Sequence, residues 1–326
     1  MKKILFDKRV LFVIQFLGSA ACIWYVFKKM DFSQLLGTLK EVDIFWFSIY
    51  VVFVFFTLFL YVYRWQIVNN VIGIKVGYGD LFKIYMISYF FSNFLPGSLG
   101  GDIYRGYILS KRSNSLSKSV MSVFFERGIG LYVMFFLGMC VSLLFIGQFP
   151  IYIPAFFFIT IFTVTIGIFI FIKFNVVAWI SKFKIFNFLL PVLNSISDFI
   201  ETSKKSKKET IIIIATTVAY QLLQTGAVIF LYYSIDTSPD FLKMLSLCIL
   251  VAILVNIPIS INGIGFREAL FMQFAFTVAV APEKNIIISV MLYISNLIYA
   301  MIGLFFYAHK KYVTYIKKGR KDSDKL

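Results

Sequence analysis

Six stretches of this chain, residues 10–27, 44–63, 119–147, 151–172, 211–234 and 285–308, are apolar without long interruption. Each is about as long as the ~17–25 residues a helix needs to cross a hydrocarbon core. No other property limits the fold as tightly. Lipid offers no hydrogen bonds, so a spanning segment must satisfy its own N–H and C=O groups, and helices and closed barrels are the structures that do so. Runs of this length predict helices. Hydrophobic residues make up 60% of the chain and charged residues 15%, too little polar surface for a soluble core of this size. The expected fold is an all-α integral membrane protein with about six full transmembrane helices. It forms a single polytopic membrane domain over 1–326, with repeat-like halves at approximately 1–147 and 151–308 and a basic tail at 309–326.

The formal charge of +16 does not point to nucleic acid. The lysines and arginines fall mainly between apolar runs and at the two ends, as the positive-inside rule places them in cytoplasmic loops. Lys2, Lys3, Lys8 and Arg9 precede the first run. It continues past Ser19-Ala20-Ala21-Cys22 through Ile23-Trp24-Tyr25-Val26-Phe27, so it reads as an uncleaved helix rather than a signal peptide. Arg64 is expected to snorkel to the inner interface. Residues 179–200 mix large apolar side chains with Lys and Asp and predict an interfacial helix broken at Pro191. The charges place both termini on the cytoplasmic side. Cys22, Cys140 and Cys248 lie far apart within apolar runs, and His309 is the only histidine. Neither a disulfide framework nor a metal site is expected, and no cofactor.

Two segments break the pattern in the same way. Pro96-Gly97-Ser98-Leu99-Gly100-Gly101-Asp102-Ile103-Tyr104-Arg105 and Pro258-Ile259-Ser260-Ile261-Asn262-Gly263-Ile264-Gly265-Phe266-Arg267 share Ser, Gly, aromatic and Arg at the same offsets from proline. Upstream, Asp80-Leu81-Phe82-Lys83 and Asp240-Phe241-Leu242-Lys243 each open the apolar run that leads to the motif. Helix breakers and charge at membrane depth are tolerated where the backbone is buried in protein or lines a wet cavity. Broken segments at matching positions of two halves point to a transport site. The charge rule is met if 81–95 enters as a re-entrant hairpin from inside and 241–257 with 264–281 either form one from outside or cross fully twice, which leaves the same parity. With two opposed hairpins the pair is an inverted repeat whose motifs face each other.

The candidate substrate-binding residues follow from this chemistry. Pro96, Gly97, Gly100, Gly101, Pro258, Gly263 and Gly265 free backbone groups from helical bonding. A broken-helix N-terminus attracts anions. Ser98, Ser260, Asn93, Asn256 and Asn262 add neutral donors. Arg105 and Arg267 supply forks suited to phosphate. Asp102, Glu126 and Glu268 could set arginine geometry or accept protons. Arg127 completes the charged set. Glu126 and Arg127 point about 100° apart on a helix, so each should pair with another helix. Arg127 with Asp102 and Arg105 with Glu126 are options that the sequence leaves open. Tyr104 and Phe266 recur in both motifs. Neither a Walker A motif nor a nucleophile elbow is present.

In order and spacing, Asn93-Phe94-Leu95-Pro96-Gly97-Ser98-Leu99-Gly100-Gly101-Asp102 with Arg105, then Glu126-Arg127, then Pro258 through Glu268, resemble the lysylphosphatidylglycerol synthase transmembrane (flippase-like) family. The likeness covers nearly the whole chain. It departs where members often carry Asp-Arg and this chain has Glu126-Arg127. In the family's namesake a cytosolic aminoacyl transferase region follows, and the membrane region moves the aminoacylated lipid to the outer leaflet. This chain is expected to be a stand-alone member without the synthase domain. The resemblance implies translocation of an anionic phospholipid or a polyprenyl-phosphate-linked glycolipid, with a separate synthase or glycosyltransferase as a partner. Two other readings stand beside it: an intramembrane transferase with a lipid-phosphate donor, and a non-catalytic subunit that recruits a synthase. The sequence leaves homo-oligomerisation open.

Overall fold

A computed structural model describes residues 8–29, 37–94, 100–144, 150–174, 177, 181, 190–257 and 259–323. Twelve α-helices carry the fold among them: α1 Lys8–Lys29, α2 Ile44–Val71, α3 Tyr78–Phe94, α4 Gly100–Ser113, α5 Leu116–Leu144 and α6 Tyr152–Lys173, then α7 Leu190–Lys205, α8 Lys207–Gly226, α9 Val228–Tyr233, α10 Phe241–Val255, α11 Phe266–Gln273 and α12 Pro282–Ser323. No strand occurs among the described residues. The protein is an all-α integral membrane protein. Five segments are long and apolar enough to cross a membrane: Ile44–Val71, Leu116–Leu144, Tyr152–Phe171, Lys207–Tyr233 and Pro282–His309. These match five of the six expected spans. The sixth, α1, is helical over 22 residues, a rise of roughly 33 Å.

The ends of the helices follow local rules. Asp43 caps α2, accepting from the Phe45 N–H at 2.8 Å, and its own N–H bonds to the Ser234 carbonyl at 2.7 Å. Asp240 caps α10 by accepting from the Lys243 N–H at 3.0 Å. Asp80, its counterpart in the sequence repeat, lies in the first turn of α3 and pairs with Arg112. Carboxylates in these positions oppose the positive end of the helix dipole.

α7 starts at Leu190 and carries Pro191 in its first turn, where a missing N–H removes no helical bond; the residues ahead of it, on which the expected break turns, are not described. Residues 182–189 lie outside the described residues, as do Trp179 and Ile180. The run 211–234 lies on the Lys207–Tyr233 span, within which the single residue Ala227 separates α8 from α9.

The helices that flank the two motifs contribute to one apolar cluster, through Leu81, Met86 and Leu109 on one side and Met244, Leu270 and Phe271 on the other. The main apolar cluster joins Trp65, Leu81, Met86, Leu109, Leu231, Tyr232, Ile287 and Tyr299, from α2, α3, α4, α9 and α12. In lipid such contacts are held by close fit and buried hydrogen bonds more than by escape from water. The α3–α4 pair shows this. A Cβ on Gly101 would collide with the Ser92 hydroxyl and the Ser88 carbonyl, so a residue without a side chain is needed there. At the other motif, Gly265 has φ +79°, and a Cβ on it would stand 2.8 Å from the Ser19 carbonyl of α1. Both the backbone angle and the contact require glycine. Thus α1 packs directly onto the second motif.

Candidate functional site at the two broken segments

The first part of the site is an ion network inside the bundle. Arg105, one turn into α4, places Nη2 2.8 Å from Asp102 Oδ1 and 3.1 Å from Glu126 Oε2. Its Nη1 donates to the Tyr61 hydroxyl at 3.1 Å. The Tyr61 hydroxyl in turn donates to Glu126 Oε2 at 2.6 Å. Arg64 of α2 closes on the other oxygen of Glu126 through Nη2. Arg127, the neighbour of Glu126 on α5, turns away and pairs its Nε with Asp102 Oδ2 at 2.5 Å. Both pairings that the sequence left open therefore coexist, each between helices. The side chains of Arg64, Arg105 and Glu126 are 2%, 2% and 1% exposed. Charges at such depth are costly to insert unless they are paired.

The walls of this network are aromatic and polar. The guanidinium of Arg105 lies 5.0 Å from the Trp65 ring and 5.8 Å from those of Tyr61 and Tyr85, within cation–π range. Trp65 Nε1 donates to Ser122 Oγ at 3.0 Å, and Ser122 donates to Asn69 Oδ1 at 2.6 Å. Asn69 returns Nδ2 to the Trp65 carbonyl at 2.9 Å. This closed ring of bonds fixes the indole that flanks Arg105.

The second part is the turn between α10 and α11. Asn262, Gly263 and Gly265 all have positive φ, at 52°, 78° and 79°. The chain then enters α11 with Arg267 and Glu268 in its first turn. Glu268 Oε2 accepts from the Gly265 N–H at 2.7 Å, and its Oε1 accepts from Ser289 of α12 at 2.8 Å. Arg267 is half-buried and reaches back to the Asn262 carbonyl at 3.5 Å. Ser260 is buried, and its hydroxyl oxygen meets no partner among the described residues.

The second part also meets α3. Asn93, at the end of α3 and three residues ahead of the first motif, donates Nδ2 to the Tyr89 carbonyl at 2.9 Å, while its Oδ1 accepts from Asn262 Nδ2 at 3.1 Å. Tyr89 also donates to Asn296 of α12 at 2.5 Å. Asp102, Arg105, Glu126 and Arg127 share one network, and Asn93, Asn262, Arg267 and Glu268 share the junction. Gly100 and Gly101 open α4. Asn256 is not part of either group: it is exposed and bonds back to the Ala252 carbonyl at 2.7 Å. Pro96, Gly97, Ser98 and Pro258 lie outside the described residues. Of the recurring aromatics, Tyr104 packs on Phe91 and Phe266 on the main cluster.

Arg64 corrects the sequence reading. It does not snorkel to an interface, because α2 runs on past it through Gln66, Asn69 and Asn70 to Val71. That extension leaves Arg64 two turns inside the helix and facing Glu126. A lone arginine followed by further helix-compatible polar residues was the signal available for it. Tyr61, Trp65, Ser122, Asn69 and Ser289 had no such signal, since a hydroxyl or indole in an apolar run reads as packing.

With this geometry in place, comparison with known families is decisive. The family described as the lysylphosphatidylglycerol synthase TM region matches residues 12–303, nearly the whole chain. The chain belongs to that family. No curated protein and no solved structure gave a match. Both parts of the site lie inside the matched region of the chain. Its family relates it to lipid metabolism or transport in a membrane.

Proposed function

We propose that this protein translocates an anionic lipid, either a phospholipid or a polyprenyl-phosphate-linked glycolipid, across a bacterial cytoplasmic membrane. The observation that carries the reading is the arginine–carboxylate network of Arg64, Arg105, Arg127, Asp102 and Glu126, buried at Arg64, Arg105 and Glu126; beside it, Asn93 at the end of α3 bonds to Asn262 of the second motif. Helix length supports the broken segments as hairpins that dip into the bilayer from opposite sides. The 15 residues of α10 rise about 22 Å, short of a core of roughly 30 Å. With both termini cytoplasmic, the basic loops obey the positive-inside rule.

In this reading the headgroup moves between the motifs while its chains stay in lipid. Arg267, half-buried beside an unwound turn, meets the phosphate from one side. Arg105 already holds Asp102 and Glu126, so an incoming phosphate competes with Asp102 for the arginines. Binding thus exchanges one set of ion pairs for another, which is how a ligand biases a two-state element. Asp102 and Glu126 keep the arginines placed when no headgroup is bound, and Glu268 braces the turn through Gly265 and Ser289.

The test is leaflet exchange of labelled lipids in proteoliposomes, with wild type, Arg267→Gln and the Arg105→Gln/Arg267→Gln pair. Exchange selective for phosphate-bearing lipids and lost in both variants is expected. Unchanged exchange in both would overturn the phosphate contact. No exchange of any lipid by wild type would favour a transferase or a partner-dependent subunit.

A further inference from the structure

A cavity lies at the opposite end of α10 from the second motif. It holds about 480 Å3, within the roughly 300–1,000 Å3 of small-molecule sites. It opens to the surface between the loop that joins α9 to α10 and the loop that leads into α12. The Asp43 N–H bonds to the Ser234 carbonyl at 2.7 Å, so this is the end of the bundle at which α2 begins. The lysines of the α7–α8 turn belong to the other end, where Ile196 and Phe199 of α7 pack with Ile67 and Val68 of α2. In the orientation proposed above, the cavity faces outward.

Two cations line it from different helices. Lys243 belongs to α10 and Lys284 to α12, and both are half-buried. Lys284 gives one hydrogen to the Ile235 carbonyl at 3.1 Å, which leaves two of the three donors of its ammonium. The Lys243 side chain makes no hydrogen bond or ion pair among the described residues. The one carboxylate of the lining is Asp240. It accepts from the Lys243 backbone N–H at 3.0 Å. The two Asp-x-x-Lys segments of the repeat thus differ: Asp80 holds the Arg112 side chain, whereas Asp240 holds a backbone group. Asp236 and Glu283 flank the lining in sequence and are not part of it.

The rest of the lining is mixed. Thr237 donates its hydroxyl to the Tyr232 carbonyl at 2.9 Å, so its oxygen keeps acceptor capacity. Val278, Val280 and Ala281 form an apolar side. Ala279 between them has φ +54°, uncommon for a residue with a Cβ. Phe241 and Leu242, between Asp240 and Lys243, are 49% and 45% exposed. In a membrane protein such a surface faces lipid. The cavity therefore stands where a polar lining meets acyl-facing side chains.

We propose that this cavity binds the phosphodiester headgroup of an anionic phospholipid, with the phosphate between Lys243 and Lys284 and the acyl chains along Phe241 and Leu242. Two ammoniums and one carboxylate leave the lining one positive charge, which suits the single negative charge of a phosphodiester. Charge-assisted bonds from lysine to phosphate are strong ones. The site needs a membrane but no transport, so it stands apart from the translocation reading. The same lysines would serve free phosphate; the exposed apolar pair favours a ligand with chains.

The test reads the cavity locally. Ser238 lines it and is exposed. In full-length protein without Cys22, Cys140 and Cys248, Ser238→Cys reports occupancy by its rate of reaction with a small water-soluble thiol reagent in detergent. The probes are short-chain phosphatidylglycerol, the matching diacylglycerol and inorganic phosphate. Phosphatidylglycerol alone is expected to slow labelling. Adding Lys243→Gln is expected to raise the concentration for half-protection at least about tenfold, because a bond to a charged group is lost. Lys243→Arg should restore most of it, and both variants should keep the parent melting temperature. Equal protection by inorganic phosphate would overturn the lipid assignment, and equal protection by diacylglycerol the phosphate contact. Labelling that phosphatidylglycerol does not slow, or half-protection unchanged by Lys243→Gln, would overturn the site. Leaflet exchange without protection would reject the cavity and leave translocation standing. Protection without exchange would do the reverse.

Discussion

Glu126 is the residue on which the largest number of buried charges depends. It receives Arg64, Arg105 and Tyr61 at once. Removing one partner of a buried pair costs about 3–5 kcal/mol, because the other charge stays buried without compensation. Glu126→Gln is therefore expected to lower stability by about 3 kcal/mol, seen as a shift of the denaturation midpoint in detergent. The control is Arg112→Ala. Its pair with Asp80 is nearly half exposed on both sides, and such pairs are worth at most ~1 kcal/mol. Its midpoint should hardly move. Equal losses in the two variants would mean that the buried network adds nothing special. Asn262→Ala tests a neutral contact. It removes the bond to Asn93, worth roughly 1 kcal/mol, and should slow exchange more than it lowers stability.

Among the elements, the second motif depends on backbone more than on side chains. Gly265→Ala would place a methyl against the α1 backbone at a φ that alanine disfavours. A loss of more than about 1 kcal/mol is expected. Gly167→Ala in α6 has no neighbour within 4 Å and gains helix propensity, so it should be neutral or stabilising in the same unfolding assay. The elements themselves were largely legible. Apolar run length marked the spans because lipid leaves a spanning backbone few alternatives. Run length could not mark a one-residue interruption such as Ala227 between α8 and α9. The depth of α2 was missed for a related reason: hydropathy ended the span at 63, whereas hydrogen bonding carried the helix to Val71.

For the whole molecule, a repeated ten-residue pattern drew attention to two distant segments, and Asn93, just ahead of the first, bonds to Asn262 of the second across 169 positions of sequence. The charged set of the first motif was legible because charge in an apolar run demands a partner. Arg64 was not, since the pairing depends on how α2 packs against α5. If the two motifs must part for a headgroup to pass, bridging them should stop the protein. Asn93→Cys with Asn262→Cys, in a background without Cys22, Cys140 and Cys248, should lose exchange when joined by a short thiol crosslinker and regain it when a cleavable linker is cut. Exchange unaffected by the bridge would remove the junction from the path. The most direct measurement is leaflet exchange by the wild-type protein alone in liposomes. Labelled phosphatidylglycerol and polyprenyl-phosphate sugar would be compared with an uncharged diacylglycerol, and outer-leaflet label quenched chemically. The account predicts that protein raises the quenched fraction beyond the outer-leaflet half for at least one phosphate-bearing lipid and leaves diacylglycerol at its protein-free rate. A quenched fraction equal to that of empty liposomes for both phosphate-bearing lipids would contradict it.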